Sequence, residues 1–132
     1  MKYSLLLAGM VLALISLSAT PQEQSYQPLS FSLDCSGSDC PLLQGSPQTT
    51  GMRSGFVRLK PGESVGAHST QDHEEALVIL RGQGKAEVEG RAPVGFTSRM
   101  LIYIPPRSRH NVTNTGADLL EYVYVVAPIA AR

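Results

Sequence analysis

Short apolar runs separated by glycine and proline dominate the second half of the chain. They are rich in Val, Ile, Leu and Tyr and read GFVRLKPG, EEALVILRGQG, KAEVEG, MLIYIPP and LLEYVYVVAP. Runs of this length are typical of strands, and no part of this region keeps a helical period free of Gly or Pro. The pattern predicts an all-β domain, a sandwich or barrel, over residues 51–132.

The turn residues between these runs refine the prediction. Gly82 and Gly84 separate two runs and predict a hairpin turn between them. Pro105 and Pro106 end the run MLIYI, because proline lacks the N–H group that a strand ladder needs. We therefore expect one strand to end just before Pro105.

The first residues form a continuous apolar segment of a different kind. Lys2 precedes the run from Leu5 to Leu17, and small side chains follow it. Because a membrane-spanning helix needs roughly 20 apolar residues, this shorter run predicts a cleaved secretory signal peptide at residues 1–18. An uncleaved N-terminal anchor is the alternative. We expect the mature protein to be secreted or periplasmic, with no membrane contact after cleavage.

Residues 19–50 are rich in Gln, Ser, Pro and Gly and predict a flexible N-terminal arm. Cys35 and Cys40, the only two cysteines, lie in the stretch DCSGSDC. In an oxidising compartment such a close pair predicts a disulfide that closes a small loop. The spacing is not the C-x-x-C of a redox motif, and no other Cys is present to complete a zinc site, so a structural role is expected.

The composition agrees with one compact domain. The chain has 132 residues, of which 42% are apolar and 17% are charged, and its formal net charge is +0. Such a balance suits a folded core. Because there is no surplus of basic residues, we expect no nucleic-acid partner.

The candidate chemistry lies at histidines beside predicted strand ends, which are His68, His73 and His110. If Gln71 and Asp72 form a turn, alternation along the next run places His73 and Glu75 on one face, with Glu74 on the other. A carboxylate that points into a barrel must be paired or metal-bound, because burying it alone is unfavourable. Two imidazoles and a carboxylate form a sound ligand set for a divalent first-row metal.

These residues resemble the two motifs of the cupin superfamily. The first motif is matched, with correct spacing, by Gly62, His68, Thr70, Glu75 and Gly82, and the second by Pro105, His110 and Asn114. The spacing to Gly82 selects Glu75 rather than Glu74. The resemblance implies a single antiparallel jelly-roll β-barrel, with a metal held near one end of its interior by His68, Glu75 and His110.

The sequence departs from the motifs at three positions. Thr70 stands where the first motif has a second histidine, and Arg99 and Arg107 stand where glycine is expected in the second. The metal set is then reduced to two histidines and a glutamate, the composition of the facial triad that leaves positions open on iron. Alternatively, His73 supplies the missing ligand. A third reading is an empty pocket that retains only the outline of the barrel.

Three functions are compatible with this sequence. The first is a metal-dependent enzyme, an oxygenase or isomerase acting on a small organic molecule, with Fe, Mn, Ni or Zn as cofactor and Tyr122 or Tyr124 beside the site. Tyr103, Arg99 and Arg107 are candidates to orient an anionic substrate. The second is a non-catalytic barrel that binds a small ligand or a metal. The third is a structural or storage role, in which the barrel edge mediates self-association. The strand LLEYVYVV is then a candidate homodimer face, and the alternative is that it is a core strand.

Overall fold

The computed structural model describes residues 25–130. Within that range all regular structure is β, and every strand pairing is antiparallel. This confirms the predicted all-β jelly-roll fold. In chain order the strands are β1 (Asp39–Gln44), β2 (Arg53–Leu59), β3 (His68–Ser69), β4 (His73–Arg81), β5 (Gln83–Val88), β6 (Val94–Thr97), β7 (Leu101–Ile104), β8 (Arg109–Asn114) and β9 (Leu120–Pro128).

The strands form two sheets that face each other. The large sheet has the order β1-β2-β9-β4-β7, and the small sheet has the order β3-β8-β5-β6. Their inner faces share one apolar core, to which the large sheet contributes Val57, Leu59, Leu77, Ile79, Ile102, Ile104, Leu120 and Tyr122, and the small sheet contributes Ala86, Val88, Phe96 and Val112. Burial of this apolar surface holds the two sheets together.

Strand β4 follows the predicted alternation. Leu77 is 1% exposed and Val78 is 38% exposed, and the same contrast holds between Ile79 and Leu80. Successive side chains of a strand point to opposite faces, so the face shared with Glu75 is the inner one. The predicted end of a strand at Pro105 is also observed, because β7 ends at Ile104.

The predicted hairpin at Gly82 is wrong. Strand β4 pairs with β7 and β9, whereas β5 pairs with β6 and β8, so the two strands belong to different sheets. Gly82 has a φ of 84°, and a Cβ atom at this position would lie 2.5 Å from the Leu119 carbonyl oxygen. Only glycine tolerates such a corner. The residue therefore turns the chain from one sheet into the other.

The segment expected to be a flexible arm contributes the edge strand β1, so the sheet begins at Asp39 rather than after Gly51. This strand pairs with β2 and contains a register shift between Pro41 and Leu43. Its apolar run is short and contains proline, which explains why periodicity does not reveal it. Cys35 and Cys40 form a disulfide at its start, as predicted.

The predicted signal peptide, residues 1–18, lies outside the described residues. Among residues 25–130 there is no helix with the length and apolar character needed to cross a membrane.

Candidate metal centre

Three side chains from both cupin-like motifs converge at one end of the space between the sheets. The ligand atoms of His68, Glu75 and His110 all lie within 4.8 Å of one another. His68 and His110 are directly opposite each other in the ladder between β3 and β8, with ring centroids 4.4 Å apart. Glu75 reaches them from β4 in the facing sheet. The fold thus brings together side chains that are far apart in sequence.

The backbone fixes the orientation of both imidazoles in the same way. Nδ1 of His68 lies 2.9 Å from the Gly66 carbonyl oxygen, and Nδ1 of His110 lies 3.0 Å from the Ser108 carbonyl oxygen. A carbonyl oxygen can only accept a hydrogen bond, so Nδ1 carries the proton in each ring. The lone pair of a neutral ring is therefore on Nε2, the arrangement that a metal-binding histidine needs.

His110 and Glu75 face each other without a hydrogen bond. Nε2 of His110 and Oε2 of Glu75 are 3.1 Å apart and buried, yet neither atom has a hydrogen-bond partner of good geometry among the described residues. When the His110 imidazole is neutral, the lone pair on its Nε2 faces a lone pair on Oε2 of Glu75. A cation, either a proton or a metal ion, is therefore needed between these two atoms. The donor set and these two atoms fit a divalent metal.

The same contact acts on the protonation of His110. Burial lowers the pKa of His110, but the Glu75 carboxylate and the Ser108 carbonyl outweigh burial, and the net result is a pKa above the ordinary value of 6.5. The imidazole thus attracts a proton when no metal is bound.

Thr70 and His73 do not join this group of ligand atoms. The Thr70 hydroxyl donates a hydrogen bond of 2.9 Å to the His73 carbonyl and closes the turn between β3 and β4. His73 is the first residue of β4, opposite Pro128, and its Nδ1 is buried without a hydrogen-bond partner among the described residues. The structure therefore places three of the four predicted metal ligands together and does not place His73 among them.

The residues proposed to orient an anionic substrate lie elsewhere. The Tyr103 hydroxyl donates to the outward-facing carboxylate of Glu74, and Arg107 pairs with Asp72 at the surface. Arg99 and Arg107 both have positive φ, 69° and 56°. This explains why glycine is common at these two motif positions, because left-handed backbone is unfavourable for other residues.

A cavity of about 360 Å³ opens beside the candidate ligands. Its apolar wall consists of Val57, Val65, Val112 and Val126, and its polar wall consists of Asp39, Arg53, Thr70, Tyr122 and Tyr124, next to His68 and Glu75. Arg53 and Asp39 were missed by the sequence analysis. Alternation from Val57 back through Gly55 would have placed Arg53 on the inner face, whereas nothing in the arm sequence indicated Asp39.

The two tyrosines of the cavity hold their protons tightly. Burial raises the pKa of Tyr122 strongly, and the negative charges of Glu75 and Asp39 add to this. The pKa of Tyr124 is raised by burial, then by Asp39 and Glu75, while Arg53 lowers it. Both phenols therefore stay protonated near neutral pH and can donate hydrogen bonds.

The structure is an antiparallel jelly roll with two histidines and a glutamate gathered at one end, a group that could hold a metal ion. Residues 55–126 match the family model described as the cupin domain. The chain belongs to the cupin family. No curated protein gives a significant sequence match.

Solved structures show the same fold. A predicted oxalate decarboxylase from Thermotoga maritima is 27% identical over 58% of this chain and 66% of its own, with a TM-score of 0.54. A cupin 2 conserved barrel domain protein from Salinispora arenicola is 23% identical over 77% and 87%, with a TM-score of 0.58. An RmlC-like cupin from Methanocaldococcus jannaschii is 20% identical over 77% and 90%, with a TM-score of 0.60. The match to the Thermotoga maritima protein spans just under two thirds of that protein's length.

Proposed function

We propose that this cupin holds one divalent transition metal through Nε2 of His68, Nε2 of His110 and the carboxylate of Glu75. The observation that carries the proposal is the buried contact between Nε2 of His110 and Oε2 of Glu75, which needs a cation and has no other partner among the described residues. Fe, Mn, Ni and Zn all accept such a donor set.

We further propose that the protein is a metal-dependent enzyme, an oxygenase or isomerase acting on a small organic molecule. A metal held by three protein ligands supplies Lewis acidity and open coordination positions. The cavity wall supplies the rest: valines exclude water, the protonated tyrosines donate hydrogen bonds, and Arg53 attracts an anion. The likeness to a predicted oxalate decarboxylase supports a small organic substrate.

A second candidate is a barrel that binds a small ligand without converting it. It is favoured by the small number of groups on the described cavity wall that could act as a base, because Tyr122 and Tyr124 are protonated near neutral pH. Apart from the three candidate ligands, the described cavity wall offers Asp39 as its only carboxylate and has no lysine or cysteine.

We also propose that the protein is exported. The apolar run at residues 5–17 has the length of a signal peptide rather than of a membrane span. The disulfide between Cys35 and Cys40 supports this, since such bonds persist mainly in oxidising compartments.

The proposed metal site is tested by measuring metal binding to the purified protein. We expect one bound metal per chain after loading with Mn, Fe, Ni or Zn, measured by elemental analysis, and a higher melting temperature with metal. His68→Ala and Glu75→Gln should weaken metal binding on the order of 100-fold, because ligand removal is more severe than loss of a supporting contact. Glu74→Gln, the outward-facing neighbour, is the matched control and should bind as wild type does.

Failure of the wild type to bind any of these metals, with no thermal shift, would contradict the metal site. If metal binds, oxygen uptake and product analysis with small phenols, diketones and thiols separate the enzyme from the ligand-binding barrel. Wild-type turnover that is lost in His68→Ala supports the enzyme, whereas binding without turnover across the panel supports the second candidate.

A further inference from the structure

Two side chains of opposite charge, neither of them a candidate metal ligand, line the cavity. Arg53 and Asp39 both line it. Neither side chain has a hydrogen bond or ion pair with any residue in the range 25–130, and they do not pair with each other. Two unpaired charges on one cavity wall are available to a ligand.

The register of the large sheet places these charges on either side of the cavity. Arg53, Val126 and Glu75 stand in one row across β2, β9 and β4, so the Cα atoms of Arg53 and Glu75 are separated by two strand spacings, roughly 10 Å. Asp39 stands opposite Val57, which is four positions further along β2, so the Cα atoms of Asp39 and Arg53 are separated by roughly 14 Å. A ligand beside the metal ligands therefore lies within reach of the long Arg53 side chain.

The disulfide loop holds Asp39 in place. The disulfide between Cys35 and Cys40 closes a short loop that contains Asp39. The Arg58 guanidinium donates to the Cys35 carbonyl at 2.8 Å, and the Arg58 amide donates to the Ser38 carbonyl at 2.8 Å. Arg58 is itself paired with Glu121 on β9 at 2.8 Å. Asp39 is thus fixed on an edge strand that would otherwise fray.

The charges of Asp39 and Arg53 both affect the pKa of Tyr124, which lines the same cavity. After burial, Asp39 is the largest cause of the raised pKa of Tyr124, and Arg53 opposes it. The ring of Tyr124 lies over Gly55, between the positions of Arg53 and Val57 along β2, because a Cβ atom on Gly55 would lie 2.5 Å from the phenol. The positions of Asp39 and Arg53 therefore flank the phenol of Tyr124.

We propose that Arg53 and Asp39 are specificity-determining residues, and that the ligand of this cavity is a small organic molecule that carries a carboxylate and an amine several bonds apart. Arg53 binds the carboxylate, for which the planar guanidinium is well suited, and Asp39 binds the ammonium group. The metal ligands recognise no such charge pair by themselves. A simple acid leaves Asp39 unpaired, and a longer dicarboxylate is repelled by it. The inference rests on the proposed function only in that the ligand occupies the cavity beside the metal ligands.

The test uses three probes with the same carbon skeleton: 4-aminobutanoate, butanoate and butylamine. Binding of each to the metal-loaded protein is measured by calorimetry at low ionic strength. We expect 4-aminobutanoate to bind about threefold more tightly than either of the others, as one extra ion pair to a solvent-exposed side chain predicts. Asp39→Asn should remove the preference over butanoate, and Arg53→Gln should remove the preference over butylamine.

Matched controls separate local from general charge effects. Asp118→Asn and Arg91→Gln change exposed charges outside the cavity and should bind all three probes as the wild type does. Replacing both Cys35 and Cys40 by serine should reduce the preference over butanoate, as Asp39→Asn does, while the metal content stays unchanged. Unchanged discrimination in that double variant would refute the positioning role of the loop.

Equal binding of the three probes, binding of none of them, or an Asp39→Asn variant that keeps the preference would overturn the proposal. The same titrations on metal-free protein keep the two proposals distinguishable, because Arg53 and Asp39 do not depend on the metal. If the protein binds no metal but keeps its preference for 4-aminobutanoate, the proposed metal site is wrong and the charge pair stands. If the metal site is fully occupied but the protein shows no preference for 4-aminobutanoate, the proposed role of the charge pair is wrong and the metal site stands.

Discussion

The two walls of the cavity are oriented by different means. On the small sheet, each histidine is fixed by a backbone carbonyl two residues earlier, Gly66 for His68 and Ser108 for His110. On the large sheet, Arg53 has no such local contact, and its position follows from strand register. One wall is therefore built from local hydrogen bonds and the other from alignment across strands. Changes to His68, to His110 or to Glu75, the one candidate metal ligand on the large sheet, should abolish the metal site, whereas changes to Arg53 should alter what binds beside it.

The strongest disruption of the locally fixed wall is His110→Ala. We expect metal affinity to fall on the order of 100-fold or more, because one of three ligands is lost. The metal-free protein should also lose about 2 kcal/mol or more of unfolding free energy, because the buried Glu75 carboxylate loses its contact with the His110 imidazole. Urea unfolding with and without metal checks both effects. Wild-type metal affinity in this variant would show that His110 is not a metal ligand.

The same wall should respond to pH in opposite directions with and without metal. The pKa of His110 is raised above 6.5 in the folded protein, so its contribution to the stability of the metal-free protein is complete below that pH. It is lost as the pH rises through the folded pKa. Metal displaces the proton, so metal affinity should rise over the same range. Urea midpoints from pH 5 to 9 check this, and an unchanged profile in His110→Ala would contradict it.

On the register-fixed wall, Gly55→Ala should move Tyr124. The new Cβ atom would meet the phenol ring at 2.5 Å, and crowding of this kind lowers stability by about 1–3 kcal/mol. Binding of small ligands should change more than metal affinity does. Gly95→Ala is the matched control, because a Cβ atom there meets nothing within 4 Å. Equal effects of the two substitutions would show that Tyr124 does not depend on Gly55.

Thr70→His restores a histidine at the position where the first motif has one and this chain has Thr70. The new imidazole should tighten metal binding about tenfold by adding a ligand, although the turn loses the hydrogen bond to His73, about 1 kcal/mol of stability. Thr70→Val removes the hydrogen bond without adding a ligand and separates the two effects. If Thr70→His binds metal no better than Thr70→Val, the position is not a vacant ligand site.

The smallest effect is expected at Arg99, whose φ is 69°. Arg99→Gly should raise the unfolding free energy by about 1 kcal/mol, because glycine adopts left-handed backbone without steric penalty. Arg107→Gly should gain less, because it also removes the surface pair with Asp72. The shift in the urea midpoint measures both, and a destabilised Arg99→Gly would show that the Arg99 side chain contributes contacts of its own.

These two walls also explain which features the sequence could reveal. Glu75 and the inner face of β4 follow from period-two alternation, and the histidines follow from motif spacing, because both signals are local. Gly82 carries the turn chemistry of a hairpin, yet the chain enters the other sheet there, since the partner of β5 is decided by strands far along the chain. Asp39 lies on an edge strand held by a disulfide and by Arg58, contacts that leave no periodic trace.

The proposed metal site consists of Nε2 of His68, Nε2 of His110 and the carboxylate of Glu75, which together hold one metal ion. An anomalous difference map from crystals of the manganese-loaded protein tests it most directly. We expect a single strong peak bonded by these three groups, with both Nδ1 atoms still directed at the carbonyls of Gly66 and Ser108. A peak bonded through Nδ1, a peak that includes His73, or no peak between the two sheets would contradict it.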